Sequence, residues 1–150
     1  MKDMFSQADC DAVIQRIMQL TPNSQALWGK MTVAQMVQHL CVSYEMVYTQ
    51  KHPKPNAFVR FLLKTLVKQA VVGPKPYPKN TATAKAFKIQ HEPNLAEAQS
   101  ALIQYIQKVQ AEGKSAFEGR ESLSFGPLTA AEWNVLFYKH LDHHLAQFGV

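Results

Sequence analysis

The chain has 150 residues, 47% hydrophobic and 18% charged, with a net charge of +5. These values are ordinary for a globular protein and suit one domain spanning 1–150 with a core of its own. Cys10 and Cys41 provide neither a disulfide framework nor a Cys-x-x-Cys metal spacing. The opening Met1-Lys2-Asp3-Met4-Phe5 is charged and lacks an apolar run, and the most apolar stretch, 57–72, is broken by Arg60, Lys64 and Lys68. Neither a signal peptide nor a membrane span is expected, which points to a cytoplasmic protein with reduced thiols.

The first helix is expected over 7–20, with Val13, Ile14, Ile17 and Met18 on one face, stopping before Thr21-Pro22-Asn23. Thr32-Val33-Ala34-Gln35 is a capping-box pattern that opens a second helix, running to about Thr49 with Val33, Met36, Val37, Leu40, Tyr44 and Val47 as its stripe. A third, strongly apolar helix is expected over 57–72, with Arg60, Lys64 and Lys68 in one row. Gly73-Pro74-Lys75-Pro76-Tyr77-Pro78 then enforces an irregular extended stretch. Residues 81–90 fit a short strand and a coil equally. Asn94 and Glu97 open a fourth helix that Gly113 ends, 119–127 reads as loop, and Thr129-Ala130-Ala131-Glu132 caps a last helix closed by Gly149.

The amphipathic first, second, fourth and last of these predict an all-α four-helix bundle. Its middle connection, about 45 residues with a helix of its own, allows a parallel crossover and hence up-down-down-up order. Charge is concentrated in that connection. Residues 51–88 hold nine cations and no Asp or Glu, while the rest of the chain carries seven Lys/Arg against eleven Asp/Glu.

The last helix presents an anomaly. Trp133, Leu136, Phe137, Leu141, Leu145 and Phe148 form its apolar stripe. With Trp133 as reference, His140 falls at about −20° and His144 at about +20°, in the centre of that stripe. A buried ring nitrogen without a partner costs about 1–3 kcal/mol, and one metal ion satisfies both rings. His39, about 60° off the edge of the second helix's stripe, is the candidate third ligand from a facing helix. Three neutral imidazoles leave coordination positions open, as in reactive sites, and suit Zn, Ni, Cu or Fe. His143, at about 80°, is a flanking residue, and Gln35, one turn before His39, is a candidate for the ligands' supporting shell. His52 and His91, in loops beside prolines, receive no role.

Two segments carry a family resemblance. Trp28-Gly29-Lys30-Met31-Thr32-Val33-Ala34-Gln35-Met36-Val37-Gln38-His39 is one. The other is Gly126-Pro127-Leu128-Thr129-Ala130-Ala131-Glu132-Trp133 with Tyr138-Lys139-His140-Leu141-Asp142-His143-His144-Leu145-Ala146-Gln147-Phe148-Gly149. They resemble a branch of the DinB/YfiT-like superfamily, metal-binding four-helix bundles in up-down-down-up order that are often dimeric. The resemblance implies metal ligands at His39, His140 and His144. It also implies thiol-dependent transferase or isomerase chemistry in some relatives and no known activity in many. No substrate-binding motif of the transferases is present.

Three functional expectations follow. The first is a metal-dependent enzyme whose ion, Zn or Ni, activates a thiol or water against a small-molecule substrate, with a low-molecular-weight thiol as co-substrate. The second is a non-enzymatic module in which Arg60, Lys64 and Lys68 beside Phe58, Phe61, Leu62 and Leu66 meet an anionic membrane surface or make a homodimer contact. The third is a metal-free structural bundle with hydrogen-bonded histidines. Nucleic-acid binding is not expected, since no groove-reading motif or stacking platform is present.

Overall fold

In a computed structural model covering residues 1–150, the chain is predominantly helical. The longer helices are α1 (Gln7–Met18), α2 (Val33–Tyr48), α5 (Leu95–Phe117) and α6 (Ala130–Gln147). Each of α1 and α2 packs on both α5 and α6, which also pack on each other. The shared core holds Val13 and Ile17 of α1, Leu40 of α2, Leu102 and Ile106 of α5, and Leu141 and Leu145 of α6. Tyr44 is stacked between Tyr105, at 5.7 Å, and Phe137, at 4.8 Å. No helix is long and apolar enough to cross a membrane.

Local chemistry sets the helix ends. Thr32 and Thr129 each accept from the backbone N–H three residues on, and Gln35 and Glu132 reach back to the threonine N–H; both capping boxes are complete. Asn94 supplies only its half, accepting from Glu97 N at 3.1 Å. At the end of α6, Gly149 has φ 77°, and the N–H groups of Gly149 and Val150 return to Ala146 and Leu145 in a Schellman closure.

Two expectations about α5 and the loop after it need correction. Gly113 does leave helical geometry, at φ 74°, but a further helical turn follows and seats Phe117 in the core against Phe5, Trp133 and Phe137. The segment 119–127 is not all loop. Arg120–Ser122 (β1) pairs antiparallel with Gly126–Leu128 (β2), with Arg120 opposite Leu128. Trp133 anchors this hairpin by donating from its indole N–H to the Arg120 carbonyl.

The crossover helix differs most from expectation. It runs as α3 (Ala57–Leu62), a π-helical turn (Leu63–Val67) and α4 (Lys68–Val72). The π-turn adds a residue to the helical repeat, so the three cations no longer share one row. Arg60 turns inward onto Glu121 and Lys68 onto Glu132, and only Lys64 remains free in solvent. The apolar residues face outward instead: Phe58 is 71% exposed, Phe61 62% and Leu66 74%. Beyond Gly73 the chain forms an irregular strap, with one 3₁₀ turn (Lys85–Phe87) in the stretch that fitted strand and coil equally. Lys139, buried on α6, fastens the strap's root by donating to the carbonyls of Ala70, Gly73 and Lys75 at 2.8, 2.7 and 3.1 Å.

Candidate metal centre

α6 brings His140 and His144 inward one turn apart, as its stripe requires, with ring centroids 5.0 Å from each other. His39 comes from the middle of α2, its ring 4.8 Å from that of His140 and 4.6 Å from that of His144. His39 is buried although it lies off the α2 stripe, because the strap lays Phe87 over it, ring against ring at 5.4 Å. One ligating nitrogen from each of the three residues lies within 4.8 Å of the others. His140 keeps a partly exposed edge while His39 and His144 are buried.

The Nδ1 atoms determine what the ring nitrogens can do. His39 Nδ1 donates to the Phe87 carbonyl at 2.9 Å. His144 Nδ1 donates to Gln147 Oε1 at 2.8 Å, and that amide is oriented because its Nε2 donates to the Trp28 carbonyl. Both residues are therefore Nδ1–H tautomers, with the Nε2 lone pair directed inward. His140 Nδ1 lies 2.8 Å from Ser43 Oγ, and its Nε2 lies 2.8 Å from His39 Nε2. The Ser43 hydroxyl serves either tautomer of His140. When it donates to Nδ1, His140 Nε2–H bonds to His39; when it accepts, all three Nε2 lone pairs are free to coordinate one ion.

Burial depresses the basicity of all three rings, and the neighbouring imidazoles add to the effect at His140 and His144. His144 is held down at about 3, and His140 lies well below the ordinary histidine value. The triad is thus neutral at pH 7, the form that binds metal. A tetrahedral ion with bonds of about 2.0–2.1 Å places its nitrogen ligands about 3.3 Å apart. The 2.8 Å edge must open and the longest edge contract, changes within reach of small side-chain rotations.

The other assignments fare unevenly. His143 flanks the triad, its ring 5.0 Å from that of His144 and edge-on to Trp28 and Tyr77. The side chain of Gln35 bonds to Thr32 N and to the His91 carbonyl, so its work is in the α2 cap and none of its hydrogen bonds reaches the triad. The supporting roles belong to Ser43, Gln147 and the Phe87 carbonyl. Ser43 stands one turn after His39 and Gln147 three residues after His144, spacings readable in the sequence. A backbone carbonyl carries no residue-type signal. His52 pairs with Glu45. A cavity of about 760 Å³ lies at the α1–α2 loop and the start of α5, and none of the three histidines lines it.

No curated protein and no solved structure matches the chain significantly. The chain belongs to the family described as "Protein of unknown function (DUF1569)", whose profile matches residues 2–149.

Proposed function

We propose that this protein is a metal-dependent enzyme in which Nε2 of His39, His140 and His144 holds one divalent transition ion, zinc or nickel. The observation that carries this reading is the arrangement of the three rings, whose Nδ1 atoms are each engaged by Phe87, Ser43 or Gln147 while their Nε2 sides converge. A structural core needs no such set; one leucine per position is cheaper in desolvation. The ligand set of the DinB/YfiT-like resemblance supports the same three residues, and with it we infer that α1, α2, α5 and α6 form an up-down-down-up bundle. With three protein ligands, the ion would keep open positions and would supply Lewis acidity that makes a thiol or water nucleophilic near neutral pH. The chain itself orients the ligands and screens them from water with the Phe87 and Tyr77 rings.

Elemental analysis of protein purified without an affinity tag tests the reading. We expect about one equivalent of metal per chain, lost in His140→Ala, and a rise in melting temperature when zinc or nickel is added to the metal-free wild type. Metal-free protein that gains no thermal stability from either ion refutes it.

A second reading rests on the crossover helix. Its carboxylate pairs withdraw Arg60 and Lys68 from the outer face, leaving Phe58, Phe61 and Leu66 exposed with little charge. A face of that chemistry fits an identical apolar face on a second copy across a two-fold axis better than an anionic membrane. Sedimentation of the wild type and of Phe61→Ser/Leu66→Ser decides it: a dimer that the substitutions dissociate supports the pairing, and a monomeric wild type ends it.

A further inference from the structure

Beside the triad lies a second cluster that metal ligation does not use. Of the four clustered histidines, only His143 has no hydrogen-bond partner on its ring, which stands half-buried between the edges of Trp28, at 5.8 Å, and Tyr77, at 5.7 Å. Lys79, from the strap, places its ammonium 4.1 Å over the Trp28 ring and pairs with no carboxylate. Tyr77 bridges the clusters, since its ring also meets His140 edge-on at 6.4 Å. The neighbouring carboxylate, Asp142, is occupied by Arg16 and the Tyr138 hydroxyl.

Charge balance gives this cluster a purpose. Every partner of the triad is neutral: a carbonyl, a hydroxyl and an amide. An ion held by three neutral imidazoles keeps its full double positive charge in a largely apolar setting, and residues 74–88 of the strap add cations but no acid. The protein supplies nothing to offset that charge, so an anionic ligand must.

We propose that Lys79, His143 and the Trp28 ring form an anion-recognition subsite that takes the carboxylate of a small bifunctional ligand whose other end binds the triad's metal. Lys79 supplies the charge, and an unused ring nitrogen of His143 supplies a hydrogen bond. Trp28 orients the ammonium and packs against the ligand's carbon chain. The span is short, since the His143 and His144 ring centroids are 5.0 Å apart, which selects ligands with only a few carbons between the carboxylate and the metal-binding atom. This subsite rests on the metal-centre reading above.

The test uses cobalt(II)-loaded protein, whose thiolate charge-transfer absorption reports a ligand on the ion. The probes are 3-mercaptopropionate and its uncharged counterpart 3-mercapto-1-propanol. We expect the wild type to bind the carboxylate at least tenfold more tightly, and Lys79→Met and His143→Phe each to reduce that preference severalfold without changing affinity for the alcohol. Equal affinity of the wild type for both probes, or a preference that survives in the double variant, overturns the subsite while leaving the metal centre intact. Failure of cobalt to bind the wild type overturns both.

Discussion

Acid should destabilise the metal-free protein through its buried histidines, and His144 allows the effect to be worked out. In the folded chain burial holds its pKa at about 3, whereas unfolded it titrates at the ordinary value near 6.5. Between those values the unfolded chain carries a proton that the folded chain refuses. Stability is therefore unaffected above about pH 6.5, falls as pH drops below it, and stops falling below about pH 3. The slope is about 1.4 kcal/mol per pH unit for one group, so at about pH 4.5 His144 alone removes about 3 kcal/mol. The assay is urea unfolding in chelator at about pH 7 and about pH 4.5, for the wild type and for His144→Gln, whose amide does not titrate. Subtracting the variant's pH dependence from that of the wild type cancels the carboxylates common to both. The wild type should lose about 3 kcal/mol more, which displaces its midpoint by about a further 1–2 M urea. Equal pH dependence in the two proteins, within about 0.5 kcal/mol, would mean that His144 is not held neutral in the fold.

Other substitutions probe the supporting residues. Ser43→Ala removes the hydroxyl that holds His140 Nδ1 and should weaken zinc binding by about 10–100-fold in calorimetric titration, with little change in melting temperature of the metal-free protein. Lys139→Met strips three carbonyls at the strap's root of their shared donor. It should cost about 1.5–3 kcal/mol, read as a fall of about 3–12 °C in thermal denaturation, with Lys139→Arg intermediate. Thr129→Ala breaks the α6 capping box and should cost about 1 kcal/mol by chemical denaturation.

What could be read in advance depended on range. The caps at Thr32 and Thr129 and the closure at Gly149 are interactions among residues a few positions apart, and they appear where the residue types placed them. His140 and His144 were visible because leucines on either side define a face, and the period of a helix leaves those two positions nowhere else to point. The hairpin was missed because three residues per strand leave no alternation to detect. The apolar residues of the crossover are legible as a contact face, but the loss of Arg60 and Lys68 from it is not, because it follows from carboxylates about sixty residues away, Glu121 and Glu132. Gln35 is ambiguous in the sequence, since its place one turn before His39 is also the one that its reciprocal role in the cap requires.

The contact between His39 and His140 joins positions 101 residues apart in the chain. Before α6 docks, the chain offers the His140 and His144 pair on one helix and His39 alone on another; on the metal-centre reading the three-ligand site is therefore completed last in assembly. Once in place, an ion there would act as a removable crosslink between α2 and α6. Because the unfolded chain lacks the assembled site, such an ion would stabilise the folded state alone. Chelation should therefore loosen the whole molecule, a change visible as faster amide exchange in α1 and α5, helices that supply no ligand.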